Sequence, residues 1–100
     1  MFSGGSYEEV SRWLKNFLTS HAKREHPRAE VVFDGDDALE GRAYRARIHV
    51  GDRVSEPLEF DYKDVAEHRG TLAWCAALAQ RTRAQVKATL GAGTADARAR

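Results

Sequence analysis

The sequence predicts an α+β fold, a two-layer sandwich of one three-stranded antiparallel sheet with two helices on one face, in the order α-β-β-β-α. Three observations predict it. Val10, Trp13, Leu14, Phe17 and Leu18 recur at helical spacing near the start. Two neighbouring segments, 42–50 and 54–62, alternate apolar and charged residues with the period of a half-buried strand. An alanine-rich helical pattern then fills 71–91. Each helix offers one apolar stripe and each alternating strand one apolar face, so both helices are expected to cover the same side of the sheet.

The first helix is expected to begin at Ser6, whose hydroxyl caps the backbone N–H of Glu9 while Glu9 reaches back, a reciprocal capping box. Pro27 disfavours helical geometry at His26, which places the helix end near Glu25. Val31, Val32 and Phe33 form a short strand, and Asp34-Gly35-Asp36-Asp37 has the composition of a turn. In the second strand Tyr44, Ala46, Ile48 and Val50 share the inner face, and Arg45, Arg47 and His49 the outer one. In the third, Val54, Leu58, Phe60 and Tyr62 point inward, with Glu56 as the one misfit.

The register of this hairpin follows from matching faces. A two-residue loop at Gly51-Asp52 sets Ile48 opposite Ser55 and mixes apolar with polar positions. A three-residue connection, Gly51 to Arg53, instead sets Val50 opposite Val54, Ala46 opposite Leu58, Tyr44 opposite Phe60 and Arg45 opposite Glu59. The second register is the expected one. Residues 63–70 read as a connection, and Thr71 as the cap of a second helix whose stripe is Leu72, Cys75, Ala76, Ala79, Thr82, Val86 and Leu90, stopped by Gly91. A single domain over 1–90 with a flexible tail over 91–100 is expected.

Composition narrows the function classes. Sixteen basic against fifteen acidic residues leave a net charge of +1, which supplies no global field for collecting phosphate or an anionic membrane. Charge alternates in blocks of +2 (1–29), −5 (30–41), +3 (42–53), −4 (54–67) and +5 (68–100), which favours pairing of the basic central strand with acidic neighbours. No apolar run approaches the ~20 residues that cross a bilayer. Met1 to Tyr7 lacks the basic start and apolar stretch of a secretion signal, and Cys75, the single cysteine, has no internal disulfide partner. These features point to a cytoplasmic protein without membrane association.

No residues are expected to act as catalytic, cofactor-binding or metal-binding groups. Asp34, Asp36, Asp37 and Glu40 cluster within a loop, but the spacing does not fit a calcium loop with its glycine at position 6 and glutamate at position 12. The histidines at 21, 26, 49 and 68 have no ligand spacing among them. His21 continues the stripe of the first helix and is expected to bond Glu25 or the backbone. Cys75 falls on the core side of its helix, where a thiol behaves as a small apolar group.

Two surfaces remain. On the second helix Trp74, Leu78, Arg81 and Gln85 lie about 90° or more off the apolar stripe, at 100° per residue. That flank either meets Trp13 of the first helix or forms a contact with a protein partner or a second copy of the chain, since tryptophan and arginine are enriched where partners bind. On the outer sheet face Arg45, Arg47 and His49 form a basic row for an anion, and with Arg81, Arg83 and Lys87 they define an alternative, structured-RNA or acidic-ligand binding. Over residues 6–90 the order of elements is similar to that of double-stranded RNA-binding domains. The resemblance is one of topology: Asp34-Gly35-Asp36-Asp37 stands in the loop that would enter a groove, and Thr71-Leu72-Ala73-Trp74 opens the helix where that family is basic. Nucleic acid is therefore not the expected partner, and protein–protein contact without catalysis is the expected function.

Overall fold

The computed structural model describes the backbone of residues 5–99 and the side chains of residues 5–91. Helix α1, Tyr7–Glu25, starts with the expected box: Ser6 Oγ accepts from Glu9 N–H at 3.1 Å, and the Glu9 carboxylate reaches the Ser6 N–H. His26 is extended, as a residue before proline must be, and the helix stops there. Its inward positions are Val10, Leu14, Leu18 and Ala22, while Trp13 and Phe17 lie half-buried on the flank.

The sheet is antiparallel with β2 (Ala43–Val50) at its centre. Strand β1 (Ala29–Phe33) pairs along one side, with Val31 opposite Ile48. The other side carries two short strands, β3 (Arg53–Val54) and β4 (Leu58–Asp61), where the sequence suggested one. Tyr44 opposite Phe60, Arg45 opposite Glu59 and Ala46 opposite Leu58 all stand as expected. Near the turn the register differs: Val50 faces Arg53 and His49 faces Val54, so the connection is the two-residue Gly51-Asp52 turn after all. Gly51, at φ +63°, occupies the first central position that favours glycine in such hairpins.

One extra residue reconciles the two registers. Between the Ile48–Ser55 contact and the Ala46–Leu58 pair, Glu56 and Pro57 together face Arg47, a bulge that shifts the strand back into phase. Pro57 has no N–H to give to a ladder, and Glu56 was the misfit in the alternation. Ser55 closes the bulge: its N–H donates to Ile48 C=O at 2.9 Å, and its hydroxyl oxygen accepts the Ile48 N–H at 2.9 Å while donating to Glu56 C=O at 2.8 Å. Val54, expected inside, is consequently exposed. We expect Ser55→Ala to cost about 1–3 kcal/mol, because it strands the buried Ile48 N–H. Urea unfolding monitored by circular dichroism measures that cost, and an unchanged midpoint would mean that the bulge needs no side-chain clasp.

Tyr62 does not extend the third strand. It opens a short helix, α2 (Tyr62–His68), capped by Asp61, whose Oδ2 accepts from Asp64 N–H at 3.2 Å. Val65 and Ala66 of α2 are buried, so 62–68 is part of the core and not a plain connection. Helix α3, Leu72–Ala99, follows Thr71 and continues through Gly91 instead of ending there. Beyond Gly91 the expected flexible tail lies outside the residues whose side chains are described.

Both long helices pack on one face of the sheet and on each other, a two-layer α+β sandwich. The buried face of α3 is Leu78, Thr82, Val86 and Thr89, rotated by roughly half of the 100° residue step from the predicted stripe. Leu72 is 88% exposed, Ala76 is exposed and Cys75 only half-buried. The larger Leu78 side chain gains more from burial than the alanines it displaces from the centre. Thr82 and Thr89 satisfy their hydroxyls by donating to the carbonyls of Leu78 and Gln85, each at 2.8 Å.

Three tyrosines tie the start of α1 to the sheet and to α2. Tyr7 stacks on Tyr44 at 4.7 Å and meets Tyr62 edge-on at 5.5 Å. The Tyr7 hydroxyl donates to Ala43 C=O at 2.6 Å, Tyr44 to Tyr7 C=O at 2.8 Å, and Tyr62 to Gly5 C=O. Burial raises the phenol pKa of Tyr44 far above its ordinary value, with Tyr7, Tyr62 and Glu8 adding to the rise and Arg69 opposing it. Tyr7 is raised by burial and then by Glu40 and Glu8. In the unfolded chain the phenols of Tyr7 and Tyr44 ionise near pH 10, whereas folding holds their protons to higher pH, so stability falls as pH rises above about 10. Urea midpoints measured from about pH 9 to 11 should decline, and Tyr44→Phe should flatten the decline. An equally steep decline in that variant would place the alkaline sensitivity elsewhere.

Candidate functional site

The flank of α3 singled out in the sequence divides on folding. Trp74 is half-buried, with its ring 6.4 Å from Trp13 and stacked on His68 at 6.1 Å. The contact with the first helix therefore exists. Leu78, a candidate partner contact in the sequence, is 5% exposed and belongs to the core; it lines the surface only from beneath. Gln85 is tied to the bulge, its Nε2 donating to Glu56 C=O at 3.0 Å.

Between these residues and the outer strand lies a cleft of about 210 Å³. Its apolar surface comes from Phe60, Trp74, Ala77 and Leu78, and its acidic rim from Glu59, Asp61 and Asp64. Arg81 lines it too, its guanidinium carbon 5.4 Å from the centre of the Phe60 ring, a cation–π contact. The carboxylates each engage one oxygen locally: Glu59 with Arg45 Nε at 3.0 Å, Asp61 in the α2 cap, and Asp64 with His68 Nδ1 at 3.1 Å. Each carboxylate has a second oxygen with which to accept.

Strand β4 borders this cleft and forms an edge of the sheet among the described residues. Tyr62 N–H donates to Arg42 C=O at 2.9 Å, which sets the parity of the ladder. Antiparallel pairs alternate, so Leu58 and Phe60 direct their backbone groups toward β2, and Glu59 directs both of its own outward. The Asp61 N–H points the same way.

No family model matches this chain, and neither does any curated protein or solved structure. The surfaces must therefore be weighed on their own chemistry. On the outer face Arg45 reaches Glu59, Asp36 at 3.6 Å and Asp34 at 3.8 Å, and Arg47 Nε lies 3.4 Å from Asp34. The Glu59 hydrogen bond and then the neighbouring acids raise the pKa of Arg45 further above its ordinary value. His49 sits opposite Glu30. On α3, Arg83 and Lys87 both reach Glu25 of α1, at 3.1 and 3.8 Å. The basic side chains that an anion would require are thus engaged within the chain, and the acidic loop holds two arginines. Among the described residues no three His, Cys, Asp or Glu side chains converge to hold a metal, and no helix is long and apolar enough to cross a membrane.

His21 does not bond Glu25, which is turned to α3; its ring packs on Phe17 at 4.6 Å. Burial, then Arg24 and Arg83, lower its pKa, which favours the neutral ring. The Cys75 thiol donates to Arg69 C=O at 3.3 Å. Sequence reasoning found Trp74 and Arg81 but missed Phe60, Asp61, Asp64 and Ala77 as their neighbours. The capping pattern Asp61-Tyr62-Lys63-Asp64, followed by apolar Val65 and Ala66, was the available signal for the helix that places them.

Proposed function

We propose that this chain is a non-catalytic protein-interaction domain whose docking site is the cleft between α3 and the outer edge of β4. The observation that carries this reading is a half-buried tryptophan, with Phe60 and Leu78 beside it, next to outward-directed backbone groups of a strand. A pocket with apolar and charged walls next to an unpaired strand edge suits extended peptides: the backbone supplies affinity and the pocket selects side chains. Arg45 and Arg47 of the outer face and Arg83 and Lys87 of α3 have intramolecular acidic partners, which favours this reading over RNA or an acidic ligand. A cytoplasmic location belongs to the same reading and rests on the unpaired Cys75.

Selection from a random displayed peptide library against the full chain tests it, with Ala77→Arg as counter-target. Ala77 is exposed on α3 and lines the cleft, so arginine there obstructs the site without entering the core. Peptides that bind the wild-type chain and lose at least about tenfold in affinity for the variant are expected, as for removal of a central contact. Peptides that bind both equally would place docking elsewhere and overturn the proposal.

A further inference from the structure

We infer that the partner is a basic extended segment which adds as an antiparallel strand to β4, with lysine or arginine on its outward face and an apolar side chain entering the cleft. This rests on the docking reading above and specifies its ligand.

The register follows from the sheet. A residue placed opposite Glu59 exchanges two backbone hydrogen bonds with it and lies on the same face as the Glu59 side chain, because paired residues share a face. A cation at that position meets the Glu59 carboxylate, with Asp61 two residues along the same face. The residues on either side point inward, where Phe60, Trp74 and Leu78 surround the cleft. The pattern that fits is therefore alternating basic and apolar. Around the cleft three carboxylates stand against Arg81, whose charge lies over the Phe60 ring, and Arg45, which Glu59 shares with Asp34 and Asp36.

The same rim decides against a second copy. Two chains meeting at β4 about a two-fold axis bring equivalent strands together, so Glu59 and Asp61 of one face the acidic edge of the other. Like charges directly across a strand pair are destabilising. A basic partner turns that repulsion into attraction.

A charge swap tests the inference. The probes are acetylated, amidated peptides Ser-Lys-Val-Lys-Leu-Lys-Ser and Ser-Glu-Val-Glu-Leu-Glu-Ser, titrated into the 15N-labelled full chain. The basic peptide should shift the amides of Glu59, Asp61, Ala77 and Arg81 and protect the Glu59 N–H from solvent exchange. Glu59→Lys, at an exposed outer position, should weaken the basic peptide by about tenfold at low salt and strengthen the acidic one. Glu59→Gln, which keeps shape without charge, should fall between the two.

Equal binding of both peptides to the wild-type chain overturns the basic-partner inference. So does a shift at these amides without Glu59 protection, since no strand would then be added. No shift with the basic peptide overturns it as well. The docking reading is judged separately by the Ala77→Arg counter-selection: ligands sensitive to that variant but without alternating basic residues would uphold the cleft and refute this partner.

Discussion

Leu14→Ala is expected to lower the unfolding free energy by about 2–5 kcal/mol, the range for removing a large aliphatic side chain from a closed core. Leu14 has no exposed surface, and it sits in the middle of the buried row Val10, Leu14, Leu18 and Ala22 by which α1 covers the sheet. Its neighbours above and below on the helix are equally buried, so the space left behind is closed on the helix side and cannot fill with water cheaply. A domain of this size is stable by roughly 5–15 kcal/mol, so one methyl-rich side chain represents a large fraction of the total. Urea unfolding should show a lower midpoint with an unchanged slope, the mark of lost stability without altered compactness. A loss below about 0.5 kcal/mol, as expected at a surface position, would mean that α1 does not seat on the sheet through this residue.

The double variant Trp74→Ala, Leu78→Ala is expected to damage the fold. On the reading that this flank of the helix meets a partner and not Trp13, loss of the two residues should remove association alone. The structure favours the other alternative, contact with Trp13. Leu78 is 5% exposed in the core, and its truncation by itself should cost about 2–5 kcal/mol. Trp74 adds its contacts with Trp13 and His68. The two costs should not sum simply, because both residues line the same cleft and share neighbours. Thermal melting followed by near-ultraviolet circular dichroism should show a marked drop in the midpoint for Leu78→Ala and a further drop for the pair. A double variant that melts like the wild type would return Leu78 to the surface and undo the placement of α3. This is also why Ala77, exposed on the same helix, and not Leu78, is the position from which to probe docking.

Much of the scaffold was legible because it is written in local terms. The Ser6–Glu9 box, the stop before Pro27 and the alternation of 43–50 each depend on a few neighbouring residues, and all are present in the fold. Pairing of Tyr44 with Phe60 and Arg45 with Glu59 was also legible, since inner and outer faces must match across an antiparallel pair. The turn was harder. A uniform strand can satisfy only one register, and the chain instead uses two, joined by the bulge at Glu56-Pro57 and closed by Ser55. The acidic misfit at Glu56 was a trace of that solution, although nothing local distinguished an imperfect strand from a bulged one.

The candidate site was legible only in part. Trp74 and Arg81 stand out by residue type, but their cleft needs Phe60 from β4 and Asp64 from α2, which are distant along the chain or hidden in a segment that reads as a connection. An alanine-rich helix has a weak apolar stripe, so its own sequence leaves its rotation poorly specified.

By itself the sequence determined the α+β class, the ends of α1, the inner face of β2 and the absence of a net field for phosphate. Each follows from capping, periodicity or charge, which act over a few residues or sum over all of them. The tertiary structure alone decided the two-residue turn with its bulge, the short helix after Asp61, the burial of Leu78 in place of Leu72, and the engagement of the outer arginines by Asp34 and Asp36. These are outcomes of competition between residues far apart in the chain for the same buried volume or the same charge. The assembled core resolves that competition by burying one continuous apolar face from each element and bringing opposite charges together.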